Sequence, residues 1–137
     1  MEPRRLVNRF YDEVWNRPDI SVIPKLFHED CIFRGSLGTE RRGHQGLAEY
    51  VREVTGALSD YRCDIEALVV EGERAFAKMR FTGRHTGQFL DFAPTGQEIS
   101  WSGAALFECE KGRVRSLWVL GDVAGLTALL KSQAAKT

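Results

Sequence analysis

The spacing of apolar residues along this chain changes once, near residue 60. Before that point they recur every three or four positions. Leu6, Val7, Phe10, Tyr11 and Val14 share one face of a helix predicted over residues 3–16. A second, short helix is predicted over residues 19–27, where Asp19 can cap and Pro24 is tolerated near the start. Cys31-Ile32-Phe33-Arg34 reads as a short strand. Leu47, Tyr50, Val51, Val54 and Leu58 make the clearest helical face, within RRGHQGLAEYVREVTGAL, and Gly56 weakens its last turn. Arg41-Arg42 beside Glu40 reads as a solvated loop.

Beyond residue 60 the period is 2. YRCDIEALVV and RAFAKMRFTGRH read as two strands joined by a tight turn at Glu71-Gly72-Glu73. EISWSGAALFECE and RVRSLWVLGD form a second hairpin around Lys111-Gly112. TGQFLDFAPTGQ, aromatic and rich in turn residues, is a loop between them, and DVAGLTALLKSQAAKT is a short helix with a polar tail. Helices first and a meander of long strands afterwards predict an α+β fold. One domain over residues 1–137 fits the length, with no linker or repeat.

Alternation assigns faces. Ala75, Ala77, Met79, Phe81, Gly83 and His85 share one, with Lys78, Arg80 and Arg84 on the other. Ile99, Trp101, Gly103, Ala105 and Phe107 share another. In the last strand the even positions are Val114, Ser116, Trp118, Leu120 and Asp122. A curved sheet with these faces inward encloses an apolar, aromatic pocket, and Gly83, Gly103 and Ala105 leave room in it. His85 and Asp122 then stand on its wall. A bulge would reverse the phase downstream.

Composition narrows the chemistry. Lys+Arg and Asp+Glu are both 19, so the net charge is zero and a nucleic-acid partner is not expected. Three widely spaced cysteines, Cys31, Cys63 and Cys109, argue against a disulfide framework and a structural zinc site. No segment reads as a signal peptide or membrane span, so a cytoplasmic protein is expected. His28-Glu29-Asp30-Cys31 are consecutive and cannot all face one metal, and His44 reads as an end-of-helix residue. Phosphate-loop, dinucleotide, zinc-protease and serine-hydrolase motifs are absent. Asp122 has two readings: a carboxyl group with a raised pKa for proton transfer, or the cap of the last helix. His85 is either a hydrogen-bonded structural group or a group that polarises a carbonyl. Trp15, Phe33, Phe89, Trp101 and Trp118 are core residues or, on the pocket wall, candidates to bind a substrate.

The second half, GRHTGQFLDFAPTGQEISWSGAALFECEKGRVRSLWVLGD, resembles SnoaL-like polyketide cyclases and their ester-cyclase relatives. The matching pieces are His85-Thr86-Gly87, Ala93-Pro94-Thr95-Gly96, the Gly103 strand, Gly112-Arg113-Val114, Trp118 and Asp122. FYDEVWNRPD, FHEDCIF and GHQGLAEYV agree in the first half. The resemblance implies a nuclear transport factor 2-like fold, a cone of curved antiparallel sheet closed by helices around a pocket. It implies chemistry without cofactor or metal, with Asp122 as general acid/base in an aldol cyclisation or isomerisation of a small carbonyl-containing, polyketide-like molecule. His85 would bind the oxygen that gains charge. It also implies a homodimer, for which Phe76, Ala104 and Leu106 offer an outer face. The alternatives are a non-catalytic small-molecule-binding or dimerising module and, more remotely, an epoxide hydrolase using Asp122 and Arg80.

Overall fold

The computed structural model describes residues 1–135, so Lys136 and Thr137, the end of the expected polar tail, lie outside it. The first helix, α1, spans Pro3–Arg9 and runs on as a π-helical segment, Phe10–Trp15. Its wider turn, closed by Asn16 N–H to Tyr11 C=O at 2.9 Å, keeps Phe10, Tyr11, Val14 and Trp15 all buried. The expected second helix is two short pieces, a 3-10 turn at Ile20–Val22 and α2 at Ile23–Leu26. Asp19 caps the first, accepting the Ser21 N–H at 3.0 Å. Pro24 is tolerated because α2 ends within a turn of it.

Strand β1 starts at Phe27 and runs to Arg34, four residues earlier than the apolar run showed. Arg41-Arg42, expected in a loop, lie in strand β2 (Glu40–Arg42), paired antiparallel with β1. Helix α3 covers Gly43–Ala57 and buries Leu47, Tyr50, Val51 and Val54. The two hairpins follow as β3 (Leu58–Glu71) with β4 (Arg74–His85), and β5 (Glu98–Glu110) with β6 (Arg113–Gly121). Helix α4, Val123–Ala134, closes the described chain.

The six strands form one sheet in the order β2-β1-β6-β5-β4-β3. All neighbours are antiparallel except β1 and β6, which are parallel. The fold is α+β, with an open curved sheet whose inner face packs on α1, the π-segment and α3. The edge strand β3 is tied down by one side chain. Asn16 donates from Nδ2 to Cys63 C=O at 3.1 Å and accepts the Cys63 N–H at 2.8 Å, as a neighbouring strand would. No helix among the described residues is long and apolar enough to cross a membrane.

Faces follow the expected alternation in β4 and β5. Ala75, Ala77, Met79, Phe81 and His85 point inward, as do Ile99, Trp101, Ala105 and Phe107. In β6 the phase reverses. Cys109 pairs with Val114 but Glu108 pairs with Ser116, so Arg115 is an extra residue in the ladder. Downstream of this bulge Leu117 and Val119 are buried, while Trp118 and Leu120 face out. Phe76, Trp118 and Leu120 form an exposed apolar patch on the outer face.

Candidate functional site

The π-segment, the end of β1, α3 and the inner faces of β3, β4 and β6 converge on a small cavity. Its walls are the rings of Phe10, Trp15, Phe33 and Phe81 with Val119. Five polar side chains complete the lining: Tyr11, Ser36, Tyr50, Tyr61 and Cys63. The free volume is about 20 Å³, room for one water molecule. Just outside, between α3 and the loop after β4, lies a groove of about 170 Å³ lined by Leu37, Tyr50, Val54, Ala57, Phe89 and Leu90 among others. Tyr50 borders both spaces.

The polar groups here are neutral donors in an apolar setting. Tyr61 Oη accepts the Cys63 S–H at 3.5 Å. Tyr11 Oη, Tyr50 Oη and the indole Nε1 of Trp101, which packs behind the cavity against Phe81 and Tyr61, make no hydrogen bond of good geometry. Leaving a buried polar atom unpaired costs about 1–3 kcal/mol, so Tyr11 Oη on the cavity wall and Trp101 Nε1 behind it are groups able to meet an acceptor. Burial pushes the Tyr11 and Tyr61 phenols well above their ordinary value. Burial also raises Tyr50, and hydrogen bonding with the Ser36 side chain and the Leu37 backbone, of strained geometry, offsets part of the effect. Cys63 is pushed up to about 12 by burial, so its thiol is a weak donor and a poor nucleophile. Among the described residues, no carboxylate, guanidinium or ammonium group lines the cavity.

His85 ends β4, fully buried on the inner face. Its Nδ1 lies 3.3 Å from the Thr95 hydroxyl, and its Nε2 has no partner. Phe89 packs on the imidazole at 6.4 Å between ring centres and on Trp101 at 6.0 Å. His85 therefore lies behind Phe89, which with Trp101 separates it from the cavity wall.

Asp122 is placed elsewhere. The bulge at Arg115 turns Asp122 outward, and its carboxylate is exposed. Oδ1 accepts the Gly125 N–H at 2.9 Å, which caps α4. The inward placement expected for Asp122 is thus corrected, and the structure does not bring Asp122 and His85 together. Trp118 is corrected for the same reason. It lies on the outer face with the Arg34 guanidinium 5.7 Å above its ring. Of the other aromatic candidates, Trp15 and Phe33 line the cavity, Trp101 backs it and Phe89 borders the groove. The room expected beside Gly103 is filled: a Cβ there would sit 2.3 Å from the Phe81 ring. Gly35 plays the same part for Tyr50, whose ring lies where the Cβ would be, at 2.3 Å.

The remaining histidines are structural. His28 Nε2 bonds Glu110 C=O at 2.7 Å, and His44 Nε2 bonds Phe27 C=O at 2.8 Å. Among the described residues no three His, Cys, Asp or Glu side chains are grouped to hold a metal ion. Arg80 is on the outer face, bonded to Ser100 and Ser102, so it does not join a carboxylate inside the cavity. The tyrosines escaped the sequence reading because Tyr11 and Tyr50 fill core positions on their helices. The signal was there: a tyrosine on a buried stripe brings a hydroxyl that needs a partner.

Comparison with known proteins agrees with this architecture. The fold is shared with a protein of ketosteroid isomerase-like fold from Catenulispora acidiphila, solved with trimethylamine. It is 12% identical with a TM-score of 0.78, over 93% of this chain and 92% of the other. A SnoaL-like polyketide cyclase from Agrobacterium tumefaciens is 17% identical with a TM-score of 0.80, over 95% and 98%. TsrD from Streptomyces laurentii is 26% identical with a TM-score of 0.83, over 93% and 92%. No functionally curated protein matches. The family model for SnoaL-like polyketide cyclases matches residues 5–130, and the chain belongs to that family.

Proposed function

We propose that this chain binds a small, largely apolar molecule through its carbonyl group and activates that carbonyl by hydrogen bonding from Tyr11 and Tyr50. The observation that carries this reading is the pair of neutral phenols, Tyr11 and Tyr50, on the wall of one aromatic cavity, neither holding a hydrogen bond of good geometry. Neutral phenols held in a dry site polarise a carbonyl and stabilise the charge that grows on its oxygen. A proton on the adjacent carbon is then easier to remove. The C–H electron pair moves into an enolate, and the proton goes to His85 Nε2, a buried nitrogen without a hydrogen-bond partner among the described residues, behind Phe89. Phe89 must move for that contact to form. This is chemistry of the aldol-cyclisation or isomerisation type, and no step in it calls for a cofactor.

The test is proton exchange in D₂O at the α-carbon of 2-tetralone, followed by NMR. The wild type should accelerate exchange over buffer, and Tyr50→Phe and His85→Gln should each lower the acceleration at least tenfold. No acceleration by the wild type contradicts the catalytic reading. A second reading, binding without turnover, is favoured by the lack of any carboxylate in the cavity and by the capping role of Asp122. It predicts saturable binding with no exchange.

The outer face of the sheet suits a second copy of this chain. Phe76, Trp118 and Leu120 are exposed there, flanked by charges of both signs such as Lys78 and Glu66. A two-fold dimer would set this patch against its own copy.

A further inference from the structure

A cavity with room for one water must open before it can take an organic molecule, and the loop after β4 borders the groove that leads to it. The loop after β4 folds back on itself between Phe89 and Phe92. The two residues exchange backbone hydrogen bonds of 3.0 and 2.9 Å. Between them Leu90 and Asp91 both have left-handed backbone, with φ of 48° and 66°. Such turns favour Asn-Gly, and a leucine there is strained. Phe89 is buried and Leu90 half-buried, and both border the groove that shares Tyr50 with the cavity.

The stems on either side are fixed. Thr86 and Gly87 both donate to Ala57 C=O, at 3.2 and 2.9 Å. Gly87 packs so closely on α3 that a Cβ would lie 2.9 Å from Gly56 C=O. Gly96 donates to His85 C=O at 2.8 Å, and His85 to Gln97 C=O at 2.9 Å. Among the described residues, the backbone–backbone hydrogen bonds within 88–95 are those of the turn itself, and the Thr95 hydroxyl meets His85 Nδ1 and accepts the Gln97 N–H at its far end. A strained turn held by the three apolar side chains of Phe89, Leu90 and Phe92 between two rigid stems has few hydrogen bonds to lose on opening.

We propose that the Phe89–Phe92 turn is a gate: it swings away from α3 to admit the ligand past Tyr50, and the same motion lifts Phe89 off His85. The gate rests on the reading that the cavity takes a ligand. Opening exposes the cavity and the base together, and closure shuts water out around the bound carbonyl.

Two buried cysteines report on the gate without any ligand. Cys63 lines the cavity, whereas Cys31 is buried in β1 and does not. N-ethylmaleimide labelling of each thiol, resolved by peptide mass spectrometry, gives two rates per protein. Phe89→Ala removes the ring that holds the turn down and should speed Cys63 labelling at least tenfold relative to Cys31. Asp91→Gly relieves a left-handed residue without removing a buried side chain, and should slow Cys63 labelling about threefold relative to Cys31. Cys63 and Cys31 rates that rise and fall together would mean global unfolding and overturn the gate, as would a Cys63 rate that neither variant moves. The readout contains no ligand, so a working gate on a protein that binds no carbonyl compound would refute the proposed function and leave the gate standing.

Discussion

Asp122 separates a capping account from a catalytic one. Its side chain makes one structural contact, the 2.9 Å bond from the Gly125 N–H. The backbone bonds at this corner, Asp122 N–H to Ser102 C=O and Leu126 N–H to Asp122 C=O, survive any side-chain change. Helix α4 is anchored further along by Leu126 and Leu130, and by the Gln133 side-chain amide donating to Glu98 C=O at 3.0 Å. Asp122→Ala therefore removes one exposed cap bond and frays one turn, which costs about 1 kcal/mol. In a chain of this size that lowers Tm by about 4 °C. Asp122→Asn keeps an acceptor in the same place and should stay within about 0.5 kcal/mol of the wild type. Urea melts of the three proteins measure both values. Ligand binding and α-proton exchange should be unchanged in both variants once folding is matched, because the carboxylate lies outside the cavity. An Asp122→Asn protein as stable as the wild type but at least tenfold weaker in exchange would refute this placement and restore a chemical role for the carboxylate.

Three further outcomes follow from the packing and the buried acids. Gly103→Ala forces a Cβ to within 2.3 Å of the Phe81 ring and 3.1 Å of Leu120 C=O, and should cost about 2 kcal/mol or more in a urea melt. Stability should fall as the pH rises from 9 towards 12. Burial raises Cys63 to about 12 and Cys109 to about 11, and lifts all three tyrosines. The unfolded chain loses these protons first, so alkali favours it. The check is phenolate absorbance near 295 nm, which should appear only as the fold is lost. Leu120→Lys places a charge in the outer apolar patch and should convert a wild-type dimer to monomer in sedimentation; a wild type that is monomeric at all concentrations contradicts the proposed self-association.

The sequence showed the helices, the two hairpins and the inner faces of β4 and β5, because those segments keep an unbroken period. It failed at β6 for a local reason. The bulge at Arg115 carries no glycine or proline, and a single extra residue exchanged the fates of Trp118 and Val119. Strand β2 was hidden for another reason: three charged or polar residues at a sheet edge carry no apolar period. The site was legible only in part. Its lining comes from segments as distant as residues 10–15 and 119, and no local window brings Tyr11, Tyr50 and Tyr61 together. Trp15 and Phe33 were foreseeable as inward aromatics. The phenol oxygens of Tyr11 and Tyr50 stood out only when distant elements converged around them without giving either a hydrogen bond of good geometry.

The central claim is that the cavity holds a carbonyl oxygen on Tyr11 and Tyr50. Titration of the protein with 2-tetralone, followed by tryptophan fluorescence from Trp15 and Trp101 in a Trp118→Phe background, measures it directly. The account predicts saturable binding that weakens at least tenfold when both tyrosines are phenylalanine, with the urea midpoint little changed. No saturable binding, or equal affinity in the doubly substituted protein, would contradict it.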